Sequence, residues 1–141
     1  LLGFKKITKY NKVFLVSPNT TVYNFPKNVV GFRKFCAEKS IDYEIIDEIY
    51  DDIILKKGDL FITISENDVV SLINQIQKNE FEIGKDIGVL SYNDTPLKDH
   101  LGISVISTDF KKMGETAAEM ILNKTKGKIK NPFDFIDRKS L

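Results

Sequence analysis

Leu60-Phe61-Ile62-Thr63-Ile64-Ser65-Glu66-Asn67-Asp68-Val69-Val70-Ser71-Leu72-Ile73-Asn74-Gln75-Ile76 changes its period in the middle. Residues 60–64 are bulky, mostly β-branched or aromatic, as in a strand buried on both faces. From Val69 the apolar residues recur at steps of three and four (Val69, Leu72, Ile73, Ile76), which places them on one face of a helix predicted over 66–78. Ser65 and Asp68, at the junction, have the spacing of a capping box, in which a hydroxyl and a carboxylate satisfy the first free amides. A second apolar run at 86–92 then predicts another strand, closed by the turn-forming residues Asn93-Asp94-Thr95-Pro96. Strand, helix, strand is the unit of a parallel sheet with crossover helices, so the fold class is α/β.

The same rhythm extends both ways. Upstream, 12–17 reads as a strand ended by Pro18-Asn19, and 1–9 as the tail of a helix. Pro26 suits the first turn of a helix reaching about Ser40, with Val29, Phe32, Phe35 and Cys36 on its buried face. A strand at 43–47 follows, and then a poorly periodic link expected as short or irregular helix. Downstream, 103–107 and 132–136 are strand candidates. Between them Thr108 or Asp109 caps a helix whose stripe is Phe110, Met113, Ala117, Met120 and Ile121, and which Gly127 is expected to end. The chain shows no internal repeat and no low-complexity tract.

At 141 residues the expectation is one compact domain. The 21 Lys+Arg and 20 Asp+Glu leave a net charge of +1, so global charge gives no pull towards nucleic acid; only scattered local basic clusters such as Lys124, Lys126, Lys128 and Lys130 remain. Cys36 is the only cysteine, which excludes an internal disulfide and a cysteine-built zinc site and fits a reducing compartment. No apolar run is long enough to span a bilayer, so the expectation is a soluble protein with no membrane partner. A start at Leu1 rather than Met is expected of a piece of a longer protein.

Residues 84–97, with strand, aromatic, Asn93-Asp94 and Thr95-Pro96, resemble a segment of the lactose/galactose-repressor family of bacterial transcription regulators. Ile106-Ser107-Thr108-Asp109-Phe110 and Met113-Gly114-Glu115-Thr116-Ala117-Ala118 resemble that family's next signature in order and spacing. Gly31-Phe32 matches its helix opening with Asn28 where the family has arginine, and Arg138-Lys139-Ser140 matches its closing Arg-x-Ser. The resemblance covers the whole chain. The Ser91-Tyr92-Asn93-Asp94-Thr95-Pro96-Leu97-Lys98 wording further resembles the branch that carries a winged-helix DNA reader of the gluconate-repressor type.

The resemblance implies the C-terminal part of a two-lobed effector-sensing domain of the periplasmic-binding-protein-like type I fold, with flavodoxin-like lobes. It implies residues of about 10–100 and 131–141 in the C-terminal lobe, about 103–125 crossing to the other lobe, and a DNA-binding domain outside this chain. The crossing helix would then lack its native sheet. The implied partners are a small-molecule effector, DNA only through the other domain, and a second copy in a homodimer. The implied location is the cytoplasm, and neither a cofactor nor a catalytic residue is expected.

Ligands of such sheets bind beyond the carboxyl ends of the strands, at residues 18–28, 47–52, 65–67 and 93–96 here. Sugars need amide or carboxylate groups for paired hydroxyls and an aromatic face for their C–H side. The candidates are Asn93, matching the family position that grips ligand hydroxyls; Asp94 beside it; Asn28; Tyr50 as aromatic platform; Ser65; and Phe110, an aromatic closing from the other lobe. Each also has a plain structural reading: Asn93 and Asp94 as turn formers, with Thr95 and Pro96 completing the turn, Ser65 as a cap, and Phe110 as core beside Met113. Tyr23 and Phe25 are candidate pocket walls. Asn28 in place of arginine removes a fixed charge and favours a neutral monosaccharide.

His100 has no second histidine or cysteine for a metal shell or a triad, so no metal site is expected. Adjacent Asp51 and Asp52 point apart in most local structures and do not suggest acid/base catalysis. Two rival classes share the fold. One is a transport-type sugar-binding lobe, which the N-terminus of the whole protein would distinguish. The other is a flavodoxin-like enzyme or phospho-acceptor, against which stands Ser17-Pro18-Asn19 where an acidic cluster would be needed.

Overall fold

The computed structural model describes residues 2–18 and 26–141. Its elements are α1 (Leu2–Ile7), β1 (Lys12–Val16), α2 (Pro26–Lys39), β2 (Asp42–Ile46), β3 (Asp59–Thr63), α3 (Glu66–Lys78), β4 (Ile87–Tyr92), α4 (Pro96–His100), β5 (Ser104–Thr108), α5 (Phe110–Leu122) and β6 (Phe133–Ile136). The strands form one sheet in the order β2-β1-β3-β4-β5-β6. The first five are parallel, and β6 lies antiparallel on β5. The carboxyl ends of β1 to β5 therefore share one edge.

Alternation along the strands feeds a core on each face. Val16, Phe61, Ile87 and Val89 point to α3 and meet Val69, Leu72, Ile73 and Ile76 from its apolar stripe. Val13, Leu15, Leu60, Ile62 and Leu90 point the other way, to Ile7, Tyr10 and the partly buried Val29, Phe32 and Phe35 of α2. Each fully buried aliphatic side chain of this kind contributes about 1.5–3 kcal/mol. Every residue of β3 is buried, as the run at 60–64 predicts. Gly88 admits the Tyr10 ring, since a Cβ there would lie 2.4 Å from Tyr10 Cζ. Cys36 is buried in the helix face that the sequence assigns to it.

Residues 138–141 thread between β4 and β5, which pair only from Leu90↔Ser104 onward. Below that point Ser140 stands between them. Its carbonyl accepts from Val89 N (2.8 Å), its hydroxyl donates to Val89 O (2.6 Å), and that hydroxyl also accepts from Ser104 N (2.7 Å). Arg138 N donates to Ser104 Oγ (2.9 Å), and Leu141 is buried against Leu90 and Leu15 in the second core cluster. The closing Arg-x-Ser is thus a sheet-completing tail.

Several expectations need correction. The link between β2 and β3 is turn and irregular chain with no helix, although Ile49 and Leu55 anchor it in the core. Thr95 and Pro96 do not merely turn the chain: Thr95 caps α4 and Pro96 is at its start. The last helix ends at Leu122, short of Gly127, because Lys124 takes the left-handed conformation (φ 50°) and sends the Lys124 and Thr125 amides back to Ile121 O and Met120 O. The segment 103–125 is not of one kind. Its strand, β5, is hydrogen-bonded to β4 inside the sheet, and only α5 stands apart, with no buried residue at all.

Candidate functional site

The sheet edge brings together the ends of β2, β3, β4 and β5. Asn93 follows β4 with φ 58°, a left-handed conformation that asparagine tolerates better than most residues. Its main chain is fixed from both sides: Asn93 N donates to Ile106 O (2.8 Å), and Asn93 O accepts from Lys98 Nζ (3.0 Å). Its side-chain Oδ1 accepts from Thr108 N (3.3 Å), the last amide of β5. The exposed Asn93 amide thus keeps its NH₂ as the group with no hydrogen-bond partner among the described residues.

Asp94 is occupied. Its carboxylate takes a two-pronged pair from Arg138, Nη1 to Oδ1 at 2.9 Å and Nη2 to Oδ2 at 2.8 Å, and accepts Thr95 N at 3.1 Å. The Arg138 hydrogen bond holds the Asp94 carboxyl below the usual aspartate range, and the same contact raises the guanidinium. Arg138 also pairs with Asp99 on α4 (2.9 Å) and donates to Ile103 O (2.8 Å), closing the β4–α4–β5 loop on itself.

Ser65 caps α3 as the sequence predicts, accepting Asp68 N (3.1 Å) and donating to Asp68 Oδ2 (2.6 Å). Only half of the expected box forms. The Asp68 carboxylate instead accepts Ile49 N (3.4 Å), which ties the α3 start to the loop after β2 where Tyr50 stands, 47 % exposed. Thr95 donates its hydroxyl to the Glu66 carboxylate, joining the α3 and α4 starts. Phe110 opens α5 two residues beyond Thr108 and is 51 % exposed, outside the core of the described residues. Asn28 sits half-buried in the first turn of α2. Tyr23 and Phe25 lie outside the described residues.

Five of the six candidates thus stand on strand-end segments that hydrogen bonds connect. Asn93 and Phe110 meet through Thr108, Asp94 and Ser65 through Thr95–Glu66, and Tyr50 joins through Ile49–Asp68. No such link reaches Asn28 among the described residues. Asp94 and Ser65 are engaged by protein groups, whereas Asn93, Tyr50 and Phe110 present free surface. Among the described residues no three His, Cys, Asp or Glu gather as a metal shell, and no helix is long and apolar enough to cross a membrane.

Lys98 was not singled out by its sequence, yet it is the polar centre of the edge. It is 2 % exposed, with Nζ donating to Tyr92 O (2.6 Å) and Asn93 O (3.0 Å). Burial lowers its pKa, with Glu66 and Asp94 opposing that fall. The available signal is the Thr95–Pro96 helix start. It puts Lys98 in the first turn of α4, and helical side chains lean back towards the N-terminus, here onto the carbonyls ending β4.

Solved structures share this architecture. A periplasmic binding ribose operon repressor protein from Lactobacillus acidophilus matches with a TM-score of 0.76 at 17% identity, over 98% of this chain and 60% of that one. A probable maltose operon transcriptional repressor from Staphylococcus aureus matches with a TM-score of 0.73 at 17% identity, over 99% and 57%. The Lac repressor bound to ONPG in its repressed state matches with a TM-score of 0.72 at 17% identity, over 99% and 49%. The chain thus spans about half to three fifths of these proteins. No curated protein matches it. The periplasmic binding protein-like domain family matches residues 30–136, from α2 through the end of β6, and on that match and the shared fold the chain belongs to this family.

Proposed function

We propose that the chain is the C-terminal part of the effector-sensing domain of a DNA-binding transcription regulator, and that it is not an enzyme. The observation that carries the reading is α5: a helix with an apolar stripe, capped by Asp109, that leaves the sheet at Thr108 and buries nothing. Such a stripe calls for a second body beyond the strand edge, and the neighbours' whole chains are longer by enough to supply one. The proposed second body is the other lobe, contributed by chain outside these residues, with DNA contacted by a further domain and with two copies forming a dimer in the cytoplasm.

In this reading the effector lies between the lobes, on Asn93, Tyr50 and Phe110, with Asn28 at the rim. Asp94 and Ser65 support it from beneath through the contacts already described. Closure upon the effector shifts a two-state equilibrium by the difference in its affinity for the open and closed arrangements. A neutral monosaccharide suits the edge. Its cations, the buried Lys98 and the partly buried Arg138, face Glu66, Asp94 and Asp99, and Asn28 adds no charge. The ribose, maltose and Lac repressors among the structural neighbours support the same ligand class.

The test is a thermal-shift screen of the longer protein against neutral monosaccharides and their phosphates. Asn93→Gly follows on any hit, since glycine keeps the left-handed backbone and removes only the amide. A selective rise in melting temperature that the substitution abolishes is expected. A flat response to every sugar, or a response indifferent to Asn93, would reject the reading.

A further inference from the structure

We propose that Lys98 is the positioning residue of the candidate binding edge, holding Asn93 in its left-handed conformation by drawing the Tyr92 and Asn93 carbonyls onto one buried ammonium. An ammonium out of water is costly unless its donors are used, and a methionine or leucine would fill the same volume without that cost. No carboxylate pairs with Lys98 directly among the described ion pairs, so compensation comes from the two carbonyls at 2.6 and 3.0 Å. Both belong to the residues that turn the chain out of β4.

The other restraints on this turn are weaker or one-sided. Asn93 N is held by Ile106 O, Asp94 N by Ser107 Oγ (3.1 Å), and Thr108 N by Asn93 Oδ1 at 3.3 Å. None of these restrains the Asn93 carbonyl. With that carbonyl free, the backbone can relax towards the extended region, which rotates the side chain off Thr108 and carries Asp94 N away from Ser107. Lys98 therefore acts through Asn93, and the functional meaning of this rests on the sensing role proposed above. The conformational part does not.

Lys98→Met separates positioning from mere stability. In the chain itself, the melting temperature should change by no more than a few degrees, because relief of the buried charge offsets the donor lost to the two carbonyls. Amide exchange at Asp94 and Thr108 should nonetheless accelerate about tenfold, with Leu90 and Phe61 unchanged. Adding Asn93→Gly should restore part of the Asp94 protection, since glycine adopts φ near +58° without the steric cost that asparagine meets there. Unchanged exchange at Asp94 and Thr108, or a uniform loss across the sheet, would overturn the proposal. If Lys98→Met does not fold, Lys98→Gln, which keeps a shorter donor, is read at the same two amides and by the same criteria. A parallel thermal-shift series uses D-ribose, D-glucose and maltose on the longer protein. A wild-type protein indifferent to all three counts against the sugar-sensing reading alone, while the exchange data decide the role of Lys98.

Discussion

Asp94 and Arg138 show how a residue can be recognised and its role still mistaken. The sequence places Asp94 next to Asn93 at a strand end, where a carboxylate could serve a ligand. The partner that occupies it stands 44 positions away. Arg138→Met leaves a partly buried carboxylate with only Thr95 N, and should cost about 2 kcal/mol at neutral pH by chemical denaturation. The pH dependence has a definite sign. Because Arg138 holds the Asp94 carboxyl below its ordinary value of 3.8, the pair's contribution is complete above that value and disappears as pH falls through the lower folded one. The stability gap between wild type and Arg138→Met should therefore narrow on acidification from about pH 6 to pH 3.

Elements with strong periodicity were legible; short ones and long-range ones were not. The α3 helix lies at the predicted positions because Val69, Leu72, Ile73 and Ile76 all serve one face. The α4 helix was hidden because its five residues cannot show a period, although its Thr95 cap and Pro96 start were both in view. The pairing of β5 with β4 and β6 was not legible, because a strand's sheet is set by its neighbours, which its own residues do not name. The amphipathic stripes of α3 and α5 look equivalent in sequence, but their surroundings differ. Leu72→Ala in α3 should cost about 3 kcal/mol through the cavity it leaves. Ile121→Gln in α5 should change the stability of this chain by less than about 0.5 kcal/mol, as for other exposed sites. Urea unfolding of the two variants compares them directly. A large loss at Ile121 would mean that α5 is already covered in solution.

At the scale of the molecule, the near balance of charge and the α/β class follow from composition and rhythm, and the strand edge follows from the parallel order. The candidate edge was partly legible: Asn93, Tyr50 and Phe110 present free groups there, while Lys98 escaped notice because lysine is usually a surface residue. Residues 121–130 are exposed without exception and join α5 to β6 through four lysines. Brief trypsin digestion should cut first at Lys124, Lys126, Lys128 or Lys130, as exposed connectors are cut before sheets. Mass spectrometry of the fragments reads this out, and first cleavage within α2 or α3 would contradict it.

The seat of Ser140 between β4 and β5 sets an order of events during synthesis. Val89 lies mid-chain and is made early, but the groups that satisfy its N–H and C=O belong to one of the last residues of this segment to be translated. Until Ser140 clears the ribosomal exit tunnel, the middle of the sheet carries an open seam beside Val89 and Ser104. Closure of that seam therefore requires residues 138–141, and a chain truncated before residue 138 should expose a strand edge that other chains can pair with.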